Sequence, residues 1–213
     1  MPSASDFDAV TVDAMGTLVE LDHPVERLAD ALRARGQDRS TEQVAKAFRR
    51  EVAFYLEHKL DARDAESLAA LRRECARIFL AAAEAGVDPA EFSTDFLAAM
   101  VFTPLEGAVA AVERLRSAGL ALACVSDWDI GLEEQLAKIG VDHLFDSIVT
   151  SAEAGAPKPE PALFEAALGR LRVDPGRALH VGDGDGDRAG AAAAGMSFEP
   201  VPLATVPDRL GLR

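Results

Sequence analysis

From Thr103 onward the chain alternates helical and strand-like segments, and its apolar runs repeatedly end in a polar residue at a tight turn. Residues 120–125, 147–150, 177–181 and 196–201 read as strands. Helical stretches near 106–117, 131–138, 161–171 and 187–194 separate them. A further apolar run at 7–12 reads as one more short, buried strand. Alternation of this kind predicts an α/β fold, a Rossmann-like parallel sheet with helices on both faces. Right-handed crossovers then place every strand carboxyl end on one edge, where such sheets bind ligands.

The polar residues that follow these strands are chemically selective. Asp13 follows the first strand, Ser126 the second, Lys158 lies beyond the third and Asp183 follows the fourth. All four are expected on one rim. Hard carboxylate oxygens suit Mg²⁺. Lysine adds a point charge for a phosphoryl group, and serine adds a hydrogen bond. A carboxylate can also attack phosphorus and form an aspartyl-phosphate.

Residues 21–100 have a different texture, rich in Ala, Leu, Arg and Glu at helical spacing. Val44, Phe48, Val52 and Tyr55 share one helical face. Leu68, Leu71, Cys75, Ile78 and Phe79 share another, and Phe92, Phe96 and Met100 a third. Ser40-Thr41 and Asp88-Pro89 read as helix starts, and Gly36 and Gly86 as helix stops. Four helices with short joints predict a small bundle. The expected division is a core domain of residues 1–20 and 101–213, with a helical cap domain inserted at 21–100.

A chain of 213 residues, 49% of them hydrophobic, can bury a good-sized core. Its formal charge of −14 repels nucleic acid and anionic membranes, so neither is expected as a partner. A small anionic substrate stays open if a metal ion and a lysine reverse the field locally. The first residues carry neither the basic flank nor the apolar run of a signal peptide. No apolar stretch is long enough to span a bilayer. Cys75 and Cys124 lack metal-ligand spacing and read as reduced, buried thiols. A cytoplasmic protein is the expectation.

Four stretches resemble, in order, the motifs of the haloacid dehalogenase-like hydrolase superfamily. They are Val12-Asp13-Ala14-Met15-Gly16-Thr17-Leu18, Ala123-Cys124-Val125-Ser126-Asp127-Trp128-Asp129, Gly155-Ala156-Pro157-Lys158-Pro159-Glu160-Pro161, and His180-Val181-Gly182-Asp183-Gly184-Asp185-Gly186-Asp187. The position of the helical insert resembles the capped subfamily I, in its phosphatase-like branch. The resemblance implies Asp13 as nucleophile and metal ligand, the Met15 carbonyl as second ligand and Asp183 as third, with Asp187 supporting the metal directly or through water. It implies Ser126 and Lys158 as holders of the phosphoryl oxygens, with Asp127 beside them, and Thr17 as support for the nucleophile loop. Mg²⁺ and a small phosphorylated metabolite are the implied cofactor and substrate.

Three departures from the family pattern matter. Met15 stands where family phosphatases carry an aspartate that protonates the leaving group and later activates water, and a thioether cannot transfer protons. Asp127 stands where asparagine is frequent, and a carboxylate near a phosphate would repel it unless it points away or is protonated. Gly184 replaces a common hydroxyl residue. Four functions therefore stay open: a phosphatase weakened or specialised by Met15, a phosphate or metabolite binder without turnover, a haloacid dehalogenase, and a phosphonate-cleaving enzyme. Dehalogenases also lack the second aspartate but normally lack the fourth motif. The phosphonate enzyme needs a cap lysine, and only Lys46 and Lys59 are available. A calcium loop starting at Asp183 is excluded, because its sixth and twelfth positions would be Arg188 and Ala194. His180 reads as a bonded core residue, Trp128 equally as lining of the cap interface or as rim packing, and Tyr55, His58 and Lys59 mainly as solvated cap surface.

Overall fold

The computed structural model describes residues 3–212. They form two compact units. One is Leu21–Phe102, and the other comprises the segments on either side of it.

The flanking segments build a five-stranded parallel sheet. Its strands are β1 (Ala9–Val12), β4 (Ala121–Ser126), β5 (Ser147–Thr150), β6 (Ala178–Gly182) and β7 (Ser197–Pro200). Their spatial order is β5-β4-β1-β6-β7. The central strands β1 and β6 are buried at every residue, as expected of a parallel sheet covered on both faces. The covering helices include α5 (Ala108–Ser117), α6 (Leu132–Lys138), α8 (Ala162–Leu171) and α9 (Asp185–Ala193). Two one-turn helices, α7 (Ser151–Ala154) and α10 (Val206–Arg209), complete the unit. The steps β1→β4→β5 run one way across the sheet and β5→β6→β7 the other. Right-handed crossovers therefore put α5 and α6 on one face and α8 and α9 on the opposite one. On the latter, Leu163, Phe164, Ala167, Leu168 and Ala191 pack with Ala123, Val125 and Val149 of the sheet. The strand order reverses at β1, so the switch-point crevice of the fold opens at the end of the strand that carries Asp13.

Leu21–Phe102 holds four helices: α1 (Pro24–Ala34), α2 (Thr41–His58), α3 (Ala65–Ala82) and α4 (Pro89–Ala99). Ser40 begins α2 with a reciprocal capping box to Gln43, and Asp88 caps α4 just ahead of Pro89, as the sequence suggests. Gly36 takes the left-handed conformation after α1. Gly86 does not act as a stop. Glu84, at φ 52°, makes the left-handed turn after α3 instead, and its amide bonds Ala81 O. The buried stripe of α2 is Val44, Ala47 and Glu51, with Phe48, Val52 and Tyr55 only half covered. Of the third helical face, Phe92 and Phe96 are buried on α4 and Met100 falls just past its end; Phe79 stacks on Phe92 at 6.0 Å and tilts against Phe96 at 5.6 Å. Burial pushes Glu51 up to about 7, against a hydrogen bond with Cys75 that lowers it.

One element has no counterpart in the sequence expectations. β2 (Val19–Leu21) and β3 (Phe102–Pro104) pair as a two-stranded ribbon where the chain leaves and rejoins the sheet unit. Three-residue strands are too short for any periodicity to register.

Candidate active site

β1 ends in the nucleophile candidate. The Asp13 amide continues the ladder by donating to Val181 O at 2.9 Å. Its side chain is 8% exposed. The turn that follows needs Gly16 twice over. Its φ is +76°, and a Cβ there would lie 2.3 Å from Asp183 Oδ2. Gly182 serves the same purpose for Asp187, whose Cγ would be 2.3 Å from a Cβ at that position. Glycine at these two points lets two carboxylates approach the backbone closely.

β4 brings Ser126, whose hydroxyl donates to Asp13 Oδ1 at 3.0 Å. The loop after α7 brings Lys158. Its ammonium donates to Asp13 Oδ1 at 2.5 Å and to Asp187 Oδ1 at 2.6 Å, with the side chain 7% exposed. The exposed Asp183 follows β6, and the buried Asp187 sits in the first turn of α9. Ligand oxygens of Asp13, Asp183 and Asp187 lie within 4.8 Å of one another. An all-oxygen, carboxylate-rich set of this kind fits a hard divalent cation such as Mg²⁺.

Burial raises Asp13 to about 6, with Lys158 pulling down and Asp187 pushing up. Burial works against the charge of Lys158, yet Asp13 and Asp187 outweigh it and hold the ammonium above its ordinary value. Asp187 is the reverse case. Burial would raise it, but His180 and Lys158 keep it well below the usual carboxylate range. Burial lowers His180 to about 4, against its bond to Asp187, so the ring is neutral near pH 7.

The structure thus brings Asp13, Ser126, Lys158, Asp183 and Asp187 together. Asp127 turns to the loop that carries Lys158. Its Oδ1 accepts the backbone amide of Lys158 at 3.0 Å, so this carboxylate tethers the lysine loop. Met15 is 38% exposed, and its thioether offers no proton. The Thr17 hydroxyl is buried without a hydrogen-bond partner among the described residues, so its loop is held by backbone bonds, such as Leu18 N to Ala14 O at 2.9 Å. Trp128 is buried, its carbonyl accepting from Ala152 N at 3.1 Å and Ser151 Oγ at 3.3 Å. His180 is bonded in the core, as read, but its partner was not foreseen: Nε2 lies 2.7 Å from Asp187 Oδ1. Thr11, its register partner on β1, lies 2.7 Å from Nδ1. The available signal was strand parity, because Thr11 and Asp13 share one face of β1.

No helix among the described residues is long and apolar enough to cross a membrane. The family model for haloacid dehalogenase-like hydrolases matches residues 7–195. Haloacid dehalogenase-like hydrolase domain-containing protein 3 of Bos taurus is 42% identical over 103 residues, 48% of this chain and 41% of that protein. A glyceraldehyde 3-phosphate phosphatase of Methanopyrus kandleri is 38% identical over 95 residues, 44% of this chain and 41% of that protein. The matched stretch therefore spans about two fifths of these curated relatives. Among solved structures, a phosphatase of the same superfamily from Thermococcus onnurineus superposes with a TM-score of 0.63 at 22% identity, covering 97% of this chain and 99% of that one, a likeness of fold. With the family model matched over nearly the whole length and the same fold carrying the four motifs, this chain belongs to the haloacid dehalogenase-like hydrolases.

Proposed function

We propose that the protein is a Mg²⁺-dependent phosphatase of a small phosphorylated metabolite, working through an aspartyl-phosphate on Asp13. The observation that carries this reading is the buried lysine bridge, with one ammonium between Asp13 and Asp187 beside a third carboxylate, Asp183. A nucleophile that must form a covalent bond to phosphorus needs a cation to hold the anionic substrate against it, and Lys158 is such a cation.

Asp13, the Met15 carbonyl and Asp183 would hold Mg²⁺, with Asp187 behind them. The ion would neutralise charge on the phosphoryl oxygens. Ser126 and Lys158 orient those oxygens. An Asp13 carboxylate oxygen attacks phosphorus, and the bond to the leaving oxygen breaks with its electron pair on the leaving group. Water then cleaves the acyl phosphate, releasing inorganic phosphate and restoring Asp13. The relatives whose names specify phosphatases support this class.

Met15 tunes the reaction. Without a carboxylic acid two residues past the nucleophile, no group from that position protonates the leaving oxygen. Turnover then depends on the acidity of the leaving group, and an aryl phosphate outpaces an alkyl phosphate. Met15→Asp should raise alkyl phosphate turnover by up to about 10²-fold, the low end of general acid–base effects. The test is steady-state hydrolysis of a leaving-group series with Mg²⁺ by the native protein and by Met15→Asp, with Asp13→Asn as the blank. Brisk native turnover of alkyl phosphates, with the aspartate variant slower, refutes the role given to Met15. Rates at the blank on every ester, with phosphate still binding, replace the enzyme by a phosphate-binding protein.

A further inference from the structure

The imidazole of His180 is fixed on every side. Its Nδ1 lies 2.7 Å from Thr11 Oγ1 and its Nε2 2.7 Å from Asp187 Oδ1. The edge-on ring of Phe164 is at 4.9 Å, and Phe198 tilts over it at 6.3 Å. Both Thr11 and His180 are fully buried. Phe164 reaches this position because Gly190 has no side chain: a Cβ there would lie 2.3 Å from Phe164 Cε2.

The donors and acceptors run in one direction. An ionised Asp187 only accepts, so Nε2 carries the ring proton. Nδ1 is then an acceptor, and the Thr11 hydroxyl donates to it. Asp187 Oδ1 takes two donors, His180 Nε2 and Lys158 Nζ, while Oδ2 takes the Gly184 amide at 3.1 Å. Three of its roughly four acceptor positions are therefore filled by protein. The carboxylate cannot rotate without breaking one of these bonds, and Lys158 hangs on the same oxygen as His180.

We propose that His180, locked by Thr11, is a positioning residue that sets the Asp187 carboxylate and through it the ammonium of Lys158 that holds the phosphoryl oxygens. The proposal rests on the reading of Lys158 as a phosphate holder. Its chain of contacts is Thr11, His180, Asp187, Lys158, Asp13, crossing from the sheet interior to the nucleophile. His180 does not touch substrate. It determines where a group that does so is held when Lys158 turns from Asp13 to the ligand.

Two amide substitutions separate positioning from packing. The terminal nitrogen of a glutamine can replace Nε2, whereas that of an asparagine replaces Nδ1. His180→Gln therefore keeps the donor to Asp187, and His180→Asn keeps the Thr11 contact but cannot reach Asp187. Calorimetric titration with inorganic phosphate in the presence of Mg²⁺ is the readout. The expected result is roughly a 10–100-fold loss of phosphate affinity in His180→Asn and less than about threefold in His180→Gln, the usual scale for supporting partners of a site. Long-range ¹H–¹⁵N correlation on the native protein should show His180 as the Nε2–H tautomer.

Equal affinities in the two amide variants, or an Nδ1–H tautomer, overturn the proposal. Lys158→Ala is titrated alongside. If it binds phosphate as tightly as the native protein, the reading of Lys158 fails and the proposal falls with it. If it binds weakly while the amide variants are indistinguishable, the proposal alone fails. Should His180→Asn not fold, Thr11→Val removes the donor to Nδ1 at constant shape. It should weaken phosphate about fivefold, the equivalent of one ordinary hydrogen bond, and unchanged affinity there overturns the proposal.

Discussion

Replacing Lys158 with methionine would keep most of the aliphatic stem and remove the cation that two carboxylates share. In the native protein the ammonium lies 2.5 Å from Asp13 Oδ1 and 2.6 Å from Asp187 Oδ1, and the three side chains are 7%, 8% and 6% exposed. Water can therefore do little to compensate the loss. Two charge-assisted hydrogen bonds at roughly 1.5–3 kcal/mol each give about 3–6 kcal/mol, and breaking a buried pair by removing one partner costs about 3–5 kcal/mol. That range corresponds to a fall in Tm of roughly 6–20 °C for a chain of this size. The loss should depend on pH. Asp13 has a folded-state value near 6, raised above 3.8. A raised carboxyl contributes stability that is fully present below its unfolded value and is lost as pH rises through the folded one. Without Lys158 the Asp13 value climbs further, so the variant is penalised most at about pH 8 and least near pH 5. The assay is urea unfolding at both pH values, followed by fluorescence of Trp128. It is the single tryptophan of the chain, buried in the sheet unit, so the signal reports that unit. Saturating Mg²⁺ should restore part of the loss. A destabilisation below about 1 kcal/mol at pH 8, the scale of an exposed pair, would refute the reasoning, as would an equal loss at both pH values.

Asp183→Ala should abolish calorimetric Mg²⁺ binding at this site, and unchanged affinity would remove Asp183 from the ligand set. Titrations of the native protein near pH 6 in buffers of different ionisation heat should show proton release on Mg²⁺ binding, because Asp13 must ionise. Gly190→Ala drives a methyl into the Phe164 ring and should cost about 1–3 kcal/mol in urea unfolding; a neutral result would mean that α9 shifts freely. His180 has a folded-state value near 4, depressed from 6.5. Its contribution is present above 6.5 and lost as pH falls through 4, so His180→Gln should flatten the acid limb of stability by about 3 kcal/mol. An unchanged limb between pH 6.5 and 4 would show that His180 is not its source.

The sheet was legible because each buried strand leaves a mark: residues 147–150 are apolar and β-branched enough to name β5 to the residue. The rim residues were legible because Asp13, Ser126 and Asp183 interrupt apolar runs where a strand must end. Partnership was not legible. Nothing in the sequence says that Asp127 turns to the Lys158 backbone, since that depends on how two loops meet at the end of β4 and β5. His180 looks like any alternating strand residue until β1 and β6 are paired in register and Thr11 falls beside it. Glu51 was hidden for a similar reason. A glutamate three turns into an amphipathic helix reads as solvated, and only the packed helices show it buried beside Cys75.

The central position of β1 has a consequence for how the molecule comes into being. Ala9 pairs with Ala121 on one side and Ala178 on the other, partners more than a hundred residues later in the chain. Closing loops of that length is entropically costly before any pairing rewards it, so the sheet is a slow, high-contact-order object. Leu21–Phe102, by contrast, is contiguous and helical, and two of its main helix pairs, α2 with α3 and α3 with α4, are neighbours in sequence. During synthesis the helices can form while the strand that ends in Asp13 still waits, unpaired and wholly apolar at Ala9, Val10 and Val12, for β4 and then β6 to emerge. Asp13 is made before Lys158 and Asp187, and the three side chains meet only after both later residues have left the ribosome. A nascent chain halted before β6 has emerged therefore leaves one edge of β1 unpaired and the site unassembled, a state in which chaperone binding is the expected fate.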